Sequence, residues 1–138
     1  MKTGTDQELF DFVLEQMSIQ GKPSTEANGG CSYRGPGNLK CAAGFLLEDG
    51  DFHKSMENSA VCDILLFKKT YDAHQLCLIG DMQECHDEAA HYATDGGYKD
   101  GVYMRRIQKD LFMEDFLNRM KRVGVENELS VETLKGMR

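Results

Sequence analysis

The sequence predicts a mainly α (α+β) fold: a compact, single-domain helical fold with one short β-hairpin after the first helix. Three observations lead there. A capped apolar stripe opens the chain, a second long stripe spans residues 71 to 93, and a glycine-rich stretch between them sorts into two faces when read as paired strands. The 138 residues are enough to bury a core without metal or disulfide staples.

The first helix is placed at about 6–20. Thr5 with Glu8 forms a capping box, Leu9, Val13 and Met17 with Phe10 and Leu14 form the stripe, and Gly21 followed by Pro23 supplies the stop. Residues 21 to 50 then hold seven of the fourteen glycines and both prolines, so they read as turns.

Inside that region lies "CSYRGPGNLKCA", predicted to be a β-hairpin at about 31–42. With Gly35-Pro36-Gly37 as a three-residue loop, Arg34 pairs with Asn38, Tyr33 with Leu39 and Cys31 with Cys41. One face is then Cys31, Tyr33, Leu39 and Cys41, and the other is Ser32, Arg34, Asn38 and Lys40. Gly37 takes the left-handed position that ends such loops, with Pro36 pre-setting the turn before it. Cys31, Cys41, Gly35, Gly37 and Gly44 read as structural.

The run 48–59 is polar and irregular, with Phe52 and Met56 spaced to pin it to a core and room for one helical turn. A helix is expected at about 60–68, although periodicity alone does not separate it from a strand. The helix at about 71–93 rests on Leu78, Met82, Cys85, Ala89 and Tyr92, and "TDGGYKDG" reads as its stop. A last helix is expected at about 102–123. There Met104, Ile107 and Leu111 lie opposite Phe112, Phe116, Met120 and Val123, so it is either buried on two faces or broken near Asp110. Residues 125–138 read as a C-terminal tail.

Composition narrows the function. A net charge of −7 argues against direct binding of nucleic acid. The longest apolar runs are too short for a membrane span, and the N-terminus lacks the apolar core of a signal peptide. Five cysteines with no CxxC pair suit a reducing cytosol. Residues 71 to 100 hold seven acids against one Lys, and 101 to 138 hold eight Lys or Arg against six acids, which reads as a solvated face or as a basic partner for the first and an acidic one for the second. The acidic helix at 71 to 93 together with the cationic hairpin makes head-to-tail self-association into a homo-oligomer one expectation.

Catalytic and metal patterns fall short. In "CHDEAAH" the two histidines diverge by about 140° on a helix, unlike HExxH, and Glu88 with His91 is only half of a di-iron motif. His86-Asp87 resembles a phosphohydrolase dipeptide without that pattern's other ligands. No cofactor, catalytic residue or metal site is assigned; Cys31 and Cys41 are the fallback metal pair. The candidate ligand- or partner-binding residues are Arg34 and Lys40, with Tyr33 and Ser32 beside them, because a guanidinium next to an ammonium suits a phosphate or an acidic surface.

The stretch "CSYRGPGNLKCAAGFLLEDGDF", followed by "SMENSAV", resembles an uncharacterised family of small bacteriophage and prophage proteins. Cys31, Tyr33, Arg34, Gly35, Leu39, Lys40, Cys41, Ala42, Gly44 and Met56-Glu57 match its pattern, while Asn38 replaces the usual glycine. "LIGDMQECHD" and "FLNRMKRVGV" are similar to that group's second half. The resemblance implies a phage origin and a host bacterial cytosol, but no mechanism. The leading expectation is a non-enzymatic phage accessory protein that binds and modulates a host bacterial macromolecule, most simply a protein. A small-ligand or nucleotide sponge using the cationic hairpin face ranks second, and a metal or cysteine enzyme third.

Overall fold

A computed structural model describes residues 1–26 and 29–137, with the backbone alone at 97, 99 and 103–105. Its fold is mainly helical with one short antiparallel hairpin, which follows the first helix in chain order. Helix α1 (Asp6–Gln20) begins at a Thr5–Glu8 capping box and stops at Gly21, whose left-handed φ of 72° lets its N–H bond the Met17 carbonyl. A long coil then runs to Ile64, carrying among its described residues only single 3-10 turns. Helices α2 (Leu65–Thr70) and α3 (Ala73–Ala93) follow, the latter capped by the Asp72 side chain on the Gln75 N–H.

Strands β1 (Thr94–Lys99) and β2 (Val102–Ile107) form the hairpin, and α4 (Lys109–Glu126) completes the helices among the described residues. Helix α4 lies along α3, with α1 packed against both. Phe10, Leu14, Met17, Leu78, Ile79, Met82, Phe112, Phe116 and Met120 are all fully buried between them. Each such side chain stabilises the fold by about 1.5–3 kcal/mol. Gly124 marks the closest approach: a Cβ there would lie 2.9 Å from the Phe10 ring and 2.7 Å from Val131. The C-terminal segment folds back onto α1, where Gln7 bonds Ser130 and Thr133 bonds Asp11.

Four expectations are corrected. The expected hairpin at 31–42 is reduced to one bridge, Gly35 with Leu39, closing a turn at Pro36–Asn38; Cys31 bridges to Thr25 instead of Cys41. The loop is therefore shifted by one residue, with Gly37 and Asn38 both left-handed at φ 76° and 62°, a conformation Asn tolerates. The ladder stops because its N–H groups are taken elsewhere: Tyr33 and Arg34 donate to Glu57, and Lys40 donates to Gln20.

The hairpin that does form spans 94–107, where a helix stop and the start of a helix were expected. Asp100 and Gly101 have φ of 53° and 80°, the two positive values of a tight two-residue hairpin turn. Of the two alternatives for 102–123, the break near Asp110 is the one observed: 102–107 is strand and the helix starts at Lys109, so Ile107 and Phe112 need not share a helical face. The Met104 side chain lies outside the described residues. The helix expected at 60–68 is a 3-10 turn at 61–63 followed by α2, and the tail expected from 125 begins after α4 ends at Glu126. No helix among the described residues is long and apolar enough to cross a membrane.

Candidate functional site

The four candidate residues from the sequence form no solvent-facing cationic platform. Arg34 turns inward, its side chain only 15% exposed. Its Nη1 donates to the carbonyls of Tyr33 at 3.0 Å and Gly44 at 2.7 Å, and its Nη2 donates to that of Leu47 at 2.9 Å. Asp49 lies 3.3 Å from Nη2, and the Phe52 ring packs against the guanidinium. Lys40 sits 3.7 Å from the same Asp49 carboxylate and over the Phe45 ring. Both charges are thus answered within the chain.

Ser32, expected on the outer face, is buried and donates to Glu26 Oε1 at 2.5 Å. The Tyr33 ring is buried beside Phe67, with its hydroxyl donating to the Ser59 carbonyl at 2.7 Å. Cys41 is buried and Cys31 half-buried, both as free thiols. Gly44 allows the coil to close on itself, because a Cβ there would stand 2.5 Å from the Tyr33 carbonyl oxygen.

A second group of polar residues, on α3, ties the coil to the helical core. His86 is fully buried against Phe112; its Nε2 accepts the Ser24 N–H at 3.0 Å, and its Nδ1 lies 2.8 Å from Asp87 Oδ1. The Ser24 bond needs a lone pair on Nε2, so the ring proton sits on Nδ1 and is donated to Asp87. Gln83 accepts the Ala43 N–H at 2.8 Å and donates to the same Asp87 oxygen at 2.7 Å.

Cys31, His86 and Asp87 place one ligand atom each within 4.8 Å of one another. The donor set resembles a zinc site, but the hydrogen bond on the far nitrogen of His86 opposes one. A metal on Nδ1 would leave the proton on Nε2, and a metal-bound histidine normally donates that proton to an oxygen. Here it would face the Ser24 N–H, donor against donor. The cluster therefore reads as a hydrogen-bonded joint between coil and helix. Nor do the thiols suit nucleophilic chemistry. Burial, and then the Asp87 carboxylate, push Cys31 far up, and burial pushes Cys41 up to about 12.

Beside this joint lies an open cleft of about 700 Å³ between the coil and α3. Tyr33, Val61, Leu76 and Cys77 contribute to its apolar lining, and Asp81, Glu84 and Asp87 stand on the α3 side. Asp81 is held above the usual carboxylate range by burial and by Glu126, and Glu84 by its contact with and repulsion from Glu88. Glu88 itself pairs with Arg119, which also holds Asp115. Among the described residues no Lys or Arg forms an ion pair with Asp81 or Glu84.

Sequence reasoning missed Glu57, Gln83, Asp81 and Glu84, and set His86-Asp87 aside as a failed metal motif. Glu57 carried one signal in the sequence, as part of the Met56-Glu57 pair on which the expected family resemblance drew. Comparison with protein-family models, curated proteins and solved structures finds no match to this chain.

Two expectations follow from this geometry. Arg34→Ala takes the Arg34 donor from the Tyr33 and Leu47 carbonyls, Gly44 keeping the Leu47 N–H, and is expected to cost about 3 kcal/mol or more in urea unfolding, while Lys40→Ala costs under about 1 kcal/mol. Arg34→Lys is expected to recover little, since one ammonium cannot reproduce the fork. The second concerns thiols: exposed Cys62 and Cys77 are expected to react quickly with Ellman's reagent, and Cys31, Cys41 and Cys85 only on unfolding. Burial raises Cys41 and Cys85 from an ordinary 9.0 to about 12. Above pH 9.0 the unfolded chain releases these protons while the folded chain keeps them, so the melting temperature is expected to fall steadily from there towards pH 12.

Proposed function

We propose that this chain is a non-enzymatic phage accessory protein that modulates a host bacterial protein by receiving part of it in the cleft between the coil and α3. One observation carries the reading: the cleft joins apolar walls to a carboxylate rim that no Lys or Arg of the described residues neutralises. Concave apolar surface with a few oriented polar groups is the common form of a binding site. Unneutralised carboxylates add charge selection, favouring basic partners and repelling nucleic acid.

Phage origin and a bacterial host enter through the family resemblance of residues 31–57. The binding rather than catalytic reading is supported by the elevated thiols of Cys31 and Cys41 and by the commitment of both His86 nitrogens to Ser24 and Asp87. The nucleotide-sponge alternative relied on Arg34 and Lys40 facing solvent, and both are committed to Asp49, with Arg34 also on backbone carbonyls.

Cys77 is exposed within the cleft and offers the test. Immobilised protein is expected to retain one host protein in near-equimolar amount. Fluorescein-maleimide at Cys77 in a Cys62→Ser background is expected to abolish that capture by filling the cleft. Undiminished capture by the labelled protein, or no stoichiometric host protein in repeated trials, would contradict the reading.

A further inference from the structure

Resting on the binding reading of this cleft, we propose that its occupant is an extended basic segment of a partner protein, bearing two cationic side chains of the Arg-x-Arg kind. One cation meets Asp87 and the other meets Asp81 and Glu84.

The carboxylates are not equivalent. Asp87 is 45% exposed at the side chain, yet its Oδ1 is gripped by Gln83 Nε2 and His86 Nδ1. Its orientation is therefore set before anything binds, and an incoming cation does not bear the entropy of fixing it. Asp81 and Glu84 lie on the exposed side of α3; burial and then Glu126 raise Asp81, contact with and repulsion from Glu88 raise Glu84, and no Lys or Arg among the described residues pairs with either. Glu88, by contrast, already has Arg119.

Spacing sets the number of cations. Asp87 lies six positions after Asp81, which is about 9 Å along a helix axis. One cationic head forms ion pairs only within about 4 Å, so it cannot serve both ends. In an extended segment, side chains two residues apart share a face and stand about 6.5–7 Å apart, and the length of an arginine closes the rest. The apolar lining at Val61, Leu76 and Cys77 suits the methylene stems of such side chains while their heads reach the rim. A single basic residue would leave one end of the rim unanswered, and an acidic or neutral segment would leave all of it so.

The test is calorimetry at low salt on the full chain with two peptides, acetyl-Gly-Arg-Ala-Arg-Gly-amide and its counterpart with Gln at the second Arg. The two-cation peptide is expected to bind at least ~tenfold more tightly, and to weaken on raising salt from about 20 to 200 mM. Asp81→Asn with Glu84→Gln is expected to remove at least ~tenfold of that affinity without lowering the melting temperature, since it relieves repulsion. Glu15→Gln with Glu114→Gln changes the net charge equally on surfaces away from the cleft and is expected to leave binding intact.

Equal weakening by both double variants would reduce the effect to overall charge and overturn the proposal. Equal binding of the two peptides, or no heat from either, would overturn it as well. If the peptides fail while Cys77 labelling still blocks host-protein capture, the cleft reading stands and the two-cation occupant falls; if labelling does not block capture, the reading itself falls.

Discussion

The fold of this chain turns on the inward-facing guanidinium of Arg34. The described residues between 21 and 64 carry almost no regular structure, so their backbone groups must find partners outside helices and sheets. Arg34 supplies donors to three carbonyls from its own turn and from Gly44 and Leu47, drawing two stretches of coil together. Glu57 answers the N–H groups of Tyr33 and Arg34, Gln20 that of Lys40, Gln83 that of Ala43 and His86 that of Ser24. Side chains here take the place of a β-ladder. These bonds are buried or partly buried, where an unmade hydrogen bond is costly.

This construction shapes the cleft. One wall is coil, pinned at Cys31–Tyr33 and Ser59–Val61; the other is the continuous helix α3. A helix places Asp81, Glu84 and Asp87 at fixed intervals, while the pinned coil presents apolar surface opposite. Asp87 belongs to both systems, since it helps fix His86 and Gln83 and still reaches the cleft. The architecture thus links the integrity of the coil to the geometry of the proposed binding surface.

The helices were legible where short-range rules decide them. Thr5, Glu8 and Gly21 fix α1 through its own caps, and the stripe from Leu78 to Ala89 fixes α3 through periodicity. The hairpin was misplaced because two glycine-rich stretches competed. Residues 31–42 sorted cleanly into faces, but their N–H groups are captured by Glu57 and Gln20, which are distant in sequence and leave no local signal. The true hairpin had a local signal in Asp100-Gly101 between aromatic and β-branched residues, and that pair was read only as a helix stop. The charge of Arg34 suggested solvent for a similar reason: only tertiary structure brings the Gly44 and Leu47 carbonyls to it. Asp81, Glu84 and Asp87 were visible as an acidic run, yet which of them lack a basic partner depends on Arg119 reaching Glu88 from α4.

Native-state hydrogen exchange tests the central claim that side chains hold the coil in place of a ladder. The amides of Ser24, Tyr33, Lys40 and Ala43 are expected to exchange at least ~100-fold more slowly than in an unstructured chain, although none lies in an α-helix or β-strand. Exchange of these four amides at the rate of a free coil, with α1 and α3 protected, would contradict it.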